Sequence, residues 1–64
     1  MESDRAQLSA MASTLEELTN RITEMAGRHS GSKREDVAQA LYDTERSLRS
    51  AVRNVSKVMR LMRG

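Results

Sequence analysis

Apolar residues recur along the chain in alternating steps of three and four. In the first half they are Leu8, Met11, Leu15, Leu18, Ile22 and Met25. In the second half, with Thr44 counted as one polar member, they are Val37, Leu41, Thr44, Leu48, Ala51, Val55, Val58 and Met62. These steps place all members on one face of a slightly underwound helix, at heptad positions a and d. The pattern predicts two amphipathic helices and no strand.

Between the two stripes lies a segment rich in glycine and serine, residues 27–32. Such a composition is typical of a loop, and Gly27 suits a left-handed helix C-cap. A short loop folds a second helix back antiparallel to the first. We therefore predict an all-α fold, a single helical-hairpin domain over residues 1–64. Helix 1 spans about 4–26, the loop 27–32 and helix 2 about 33–63.

Polar residues at the predicted helix starts match known capping signals. Ser32 and Glu35 have the spacing of a capping box, and Asp36 adds a favourable negative charge to the first turn of helix 2. Ser3, followed by Asp4, can cap helix 1. These signals support the two helix starts.

The apolar side of helix 2 is wider than a seam between two helices requires. Ala38, Val52 and Met59 flank its a/d stripe on one side, and Ala40 and Leu61 on the other. Such a width is typical of a helix within a bundle. We predict that the hairpin dimerises into a four-helix bundle, because so short a chain buries little area alone. A frayed monomer is the alternative.

The predicted helices also differ in length, so the end of helix 2 should project beyond helix 1. The overhang would expose Met59, Leu61 and Met62. The candidate apolar surface for a second copy or for another protein is Val52, Met59, Leu61 and Met62. The spacing does not distinguish a dimer from a higher oligomer, or parallel from antiparallel hairpins.

Composition excludes several classes of stabilising chemistry. The chain has 64 residues, no cysteine and one histidine, His29, so we expect no disulfide, no metal site and no cofactor. Its longest apolar runs are too short to span a membrane. The first residues lack the basic and apolar regions of a signal peptide, and we expect a cytoplasmic protein. The basic end of helix 2 lacks the Trp or Phe of a membrane anchor, so membrane binding is not expected.

Positive charge is concentrated near the C-terminus. Residues 46–64 contain six basic and no acidic side chains. We call this set the arginine stripe: Arg46, Arg49, Arg53, Lys57, Arg60 and Arg63. In the heptad register the arginine stripe lies on the outer face of helix 2, opposite the apolar side of that helix. It is either a solvated face or a surface that binds an anion, such as nucleic acid or a phosphorylated ligand.

No arrangement of side chains indicates catalysis. The single imidazole, His29, lies in the predicted loop, and adjacent carboxylates such as Glu16 and Glu17 diverge on a helix. We predict a non-enzymatic interaction or regulatory protein that binds itself and another protein. The alternative is an anion-binding module that uses the arginine stripe.

The heptad register also predicts the core. The leucines in the middle of the two stripes should be the most deeply buried side chains. They are Leu15, Leu18, Leu41 and Leu48.

Overall fold

Two long helices make up the part of the chain that the computed structural model describes, which is the backbone of residues 2–63 and the side chains of residues 3–63. Helix α1 spans Glu2–His29 and helix α2 spans Glu35–Arg63. They pack against each other over their length in an antiparallel hairpin that measures 49 × 14 × 9 Å. The predicted all-α helical hairpin is confirmed.

The two helices are nearly equal, with 28 residues in α1 and 29 in α2. The predicted overhang of α2 is therefore wrong. Met62 lies in a groove with Leu8, and Met59 lines a cleft with Arg5 and Ser9. The apolar stripe begins only at Leu8, but the polar residues before it continue the helix, so α1 reaches as far as the end of α2.

The connection between the helices is residues 30–34, later than predicted. Gly27 lies inside α1, and it is Gly31 that takes a left-handed backbone conformation, with a φ of 79°. The Ser30 amide still donates to the Ala26 carbonyl at 3.0 Å, and the Ser32 amide donates to the His29 carbonyl at 3.1 Å. The predicted C-cap at Gly27 is wrong, because α1 continues to His29 before the chain reverses.

Helix α2 begins at Glu35, with Arg34 as its N-cap. The Arg34 carbonyl accepts the first helical bond, from the Ala38 amide at 3.1 Å. The Ser32 hydroxyl accepts from the Arg34 amide at 3.1 Å, and the Glu35 carboxylate accepts from the Gly31 amide. Ser32 and Glu35 thus both bind backbone amides, but across the turn rather than within the predicted capping box.

At the start of α1, Ser3 also departs from its predicted role. It lies within the helix, and its hydroxyl accepts from the Gln7 side-chain amide at 3.3 Å. The predicted Ser3 cap is therefore wrong.

The helices meet through heptad positions a and e rather than a and d. We call these residues the seam. All are buried or half-buried: Leu8, Ala12, Leu15, Thr19, Ile22 and Ala26 of α1, and Ala38, Leu41, Glu45, Leu48, Val52, Val55, Met59 and Met62 of α2. The e positions of α1 are small, which lets the two backbones approach closely there. The a/d stripes of the sequence are therefore not the contact surface between the two helices, because each helix is rotated so that position e takes the place of position d in the seam.

The core is correspondingly thin. Among the described residues only Thr19, Ala26 and Ala38 are buried, and no large side chain is fully enclosed. Leu15, Leu41 and Leu48 are half-buried, whereas Leu18 is exposed. The predicted set of most deeply buried leucines is therefore wrong, because two helices alone cannot surround a large side chain.

Candidate functional site

The rotation of the seam leaves position d of each helix on one open side of the hairpin. We call this row the apolar face: Met11, Leu18, Met25, Val37, Thr44, Ala51 and Val58. Met11 is 52%, Leu18 40% and Val58 43% exposed. Thr44, the polar member of the second stripe, is exposed, and its hydroxyl donates to the Ala40 carbonyl at 2.9 Å.

Charge is excluded from the α2 side of the apolar face. Positions a, d and g of that helix carry no charged residue from Val37 to Met62. The g residues bordering the face are Ala40, Ser47, Asn54 and Leu61.

The side chains chosen from the sequence as an apolar docking surface fall in different places. Val52 and Met59 are half-buried in the seam, and Met62 is half-buried beside α1. Leu61 is 70% exposed and borders the apolar face. From the sequence, Met11, Leu18 and Val58 were assigned to the two apolar stripes and not to the candidate apolar surface. Position d recurs every seven residues, as position a does, and this regular recurrence is the sequence feature that could have identified the surface.

The arginine stripe lies on the opposite side of the hairpin. All six of its side chains are exposed, as the register predicts. Arg46 pairs with Asp43 one turn earlier, Arg49 pairs with Glu45 at 3.3 Å, and the Arg53 guanidinium donates to the Ser50 hydroxyl at 3.1 Å.

The beginning of the stripe is therefore partly satisfied within α2. Lys57, Arg60 and Arg63 form no ion pair with a described side chain. The structure thus divides the stripe into a partly neutralised half and an unneutralised C-terminal half.

A polar cluster joins the two helices at Glu45. The Thr23 hydroxyl donates to the Glu45 carboxylate, which also accepts from Arg49 Nη2 at 3.3 Å. These two donors stabilise the ionised form and hold the pKa of Glu45 below its ordinary range. Next to this cluster is an open cleft of about 380 Å³ that includes Glu16, Arg49 and Arg53. Its two arginines are offset by Glu16 in the lining and by Glu45, which pairs with Arg49.

A second cleft lies at the open end of the hairpin, where α1 begins and α2 ends. We call it the end cleft. Its volume is about 750 Å³, and its described lining is Arg5, Ala6, Ser9, Ser56, Met59, Arg60 and Arg63. Arg5 was not among the residues expected from the sequence. Only the antiparallel register brings it beside the end of α2, so no local signal could have identified it.

Other features give no further site. Over the described residues, no group of three His, Asp or Glu side chains is placed to hold a metal ion. Neither helix has an apolar stretch long enough to cross a membrane, as far as the described chain extends. No protein-family model, curated protein or solved structure matches the chain.

Proposed function

We propose that the protein is a non-enzymatic interaction module. In this proposal two hairpins associate through their apolar faces into a four-helix bundle, and the bundle binds another protein. The observation that carries the proposal is the row of d positions, in which Leu18 and Val58 are exposed and Val37 and Ala51 are half-buried. The heptad repeat makes this row as regular as the seam itself, and a bundle places a, d and e residues of every helix in one core.

The accessible surface area of the hairpin supports an interface with a second copy of the chain. Its accessible surface is 4875 Å², whereas a compact monomer of the same mass exposes about 4,100 Å². The excess of about 750 Å² is close to the ~800 Å² that each partner contributes to a standard protein interface. A second copy would cover such an area with an identical apolar face, whose α2 side carries no charge.

A second copy would also cover the large side chains of the seam, which one hairpin leaves partly exposed. The large side chains of the seam, such as Leu15, Leu41 and Leu48, are only half-buried. A facing hairpin would enclose them together with the apolar face, since both rows border the same side. The apolar area removed from water would then add about 25 cal/mol per Å² to stability.

Sedimentation equilibrium tests the association. We expect about twice the chain mass of 7.2 kDa at micromolar concentration, and a melting temperature that rises with concentration. Leu18→Gln, in the centre of the apolar face, should weaken association. The matched control is Tyr42→Gln, because Tyr42 is 37% exposed but lies on the opposite side. A wild-type monomer with concentration-independent melting would refute the proposal.

Binding of another protein has its own test. Leu61 is the most exposed large apolar side chain of the described residues and lies at the edge of the apolar face. We expect the capture of a protein from lysate to persist after nuclease treatment and at moderate salt, because salt screens interactions between charges and has little effect on apolar contacts. Leu61→Gln should lose that protein, whereas Tyr42→Gln should retain it. Capture that nuclease abolishes, or that both variants retain, contradicts this part of the proposal.

A further inference from the structure

Three arginines from the two ends of the chain converge on the end cleft. Arg5 is contributed by the first turns of α1, and Arg60 and Arg63 by the last turn of α2. Ser9, Ser56 and Met59 line the same cleft. No acidic residue is among the described side chains of the lining. The cleft therefore presents guanidinium and hydroxyl donors without a carboxylate acceptor.

These arginines differ from Arg46 and Arg49, which lie earlier on α2. Arg46 and Arg49 each have a carboxylate partner within one turn. Arg5, Arg60 and Arg63 form no ion pair with any described side chain. Like charges gathered in one cleft repel one another, and a bound anion relieves that repulsion.

The donor set matches phosphate chemistry. A guanidinium binds two phosphate oxygens at once, and serine hydroxyls donate to the remaining ones. We propose that the end cleft binds the phosphate groups of a phosphorylated small molecule, such as a diphosphate or triphosphate ester. A volume of about 750 Å³ is large enough for several linked phosphates.

An extended nucleic-acid backbone fits this surface less well. A nucleic acid would need basic groups that continue along the groove between the helices. Toward the middle of the hairpin the next cleft contains Glu16, and there Arg49 is already paired with Glu45. Positive charge is thus more strongly offset by carboxylates toward the middle of the groove than at the end cleft.

The end cleft is independent of the proposed self-association. Arg5, Ser9, Ser56 and Arg60 lie on the side of the hairpin opposite Leu18 and the rest of the apolar face. A second copy on that face leaves the cleft open. Phosphate binding and dimerisation can therefore fail separately.

A titration with inorganic pyrophosphate at constant ionic strength tests the site. Calorimetry and amide NMR chemical shifts measure the binding. We expect saturable binding with shifts at Ser9, Ser56 and their neighbours. Arg5→Gln and Arg60→Gln should each weaken it at least about tenfold, since each removes a charge-assisted contact. The matched control is Arg46→Gln, at the same heptad position as Arg60 but outside the cleft. It should bind within about twofold of wild type.

Companion measurements separate the other outcomes. Circular dichroism of each variant should match wild type, and Leu18→Gln should retain pyrophosphate binding even if it is monomeric. No saturation at millimolar pyrophosphate, or an equal loss in Arg46→Gln, would overturn the site. Tighter binding of a single-stranded oligonucleotide with a steep salt dependence would overturn the choice of a small ligand.

Discussion

The Thr23 hydroxyl of α1 donates to the Glu45 carboxylate of α2. Within the described residues this is the side-chain hydrogen bond that links the two helices. Glu45 occupies a seam position, with its side chain 18% exposed, and Arg49 supplies a second donor. A polar residue within an apolar seam specifies register, because sliding one helix past the other separates it from its partner.

Removal of the Thr23 hydroxyl should destabilise the hairpin. Thr23→Val removes the bond to Glu45 and should cost about 0.5–1.5 kcal/mol in the free energy of unfolding. The control is Thr14→Val, because the Thr14 hydroxyl bonds only to the Ala10 carbonyl in its own helix. It should cost less than about 0.5 kcal/mol. Urea denaturation measures both, and equal losses would show that the bond between the helices is unimportant.

Acid should weaken the fold through Glu45. Its pKa is lowered in the folded state, first by the Thr23 hydroxyl and then by Arg49. The ionised form therefore adds stability at neutral pH, which is lost as the pH falls below about 4.3 and through the lowered pKa. Urea unfolding at pH 7 and pH 3 should show a smaller difference for Glu45→Gln than for wild type. Glu17→Gln, on an exposed position, should retain the wild-type difference.

The two glycines of the turn region should respond to alanine in opposite ways. Gly27 lies inside α1, and a Cβ there would meet nothing within 4 Å. Gly27→Ala should therefore stabilise the protein by about 0.5–1 kcal/mol. Gly31 has a φ of 79°, so Gly31→Ala should cost about 1–2 kcal/mol. Thermal melting at one protein concentration distinguishes them, and a stabilising Gly31→Ala would place the turn elsewhere.

The seam near the turn should not accept a larger side chain. Ala26 is fully buried, and Ala26→Leu should cost about 1–3 kcal/mol by forcing the helices apart. Ala10→Leu places the same side chain at an exposed position and should change stability by less than about 0.5 kcal/mol. Urea denaturation compares the two variants. Tolerance of Ala26→Leu would mean that the close approach of the helices is not needed.

Much of the local structure could be predicted from the sequence, because helical periodicity is a property of neighbouring residues. The steps of three and four from Leu8 to Met25 and from Val37 to Met62 predict both helices and their reversal. The exposure of the arginine stripe also followed from heptad position. The helix ends were less predictable. Gly27 and Gly31 both lie in the segment rich in glycine and serine, and either could have ended α1. Only the backbone of the turn shows that the left-handed conformation falls at Gly31.

The sequence by itself determined that apolar residues occupy three of seven heptad positions, but not which two face the partner helix. The tertiary structure chose a and e, because Ala12, Thr19 and Ala26 allow closer approach than Met11, Leu18 and Met25. That rotation turned predicted core residues into an exposed face. The same antiparallel register brought Arg5 beside Arg60 and Arg63. Such proximity depends on how two rigid helices pack over their whole length, which no local pattern along one helix encodes.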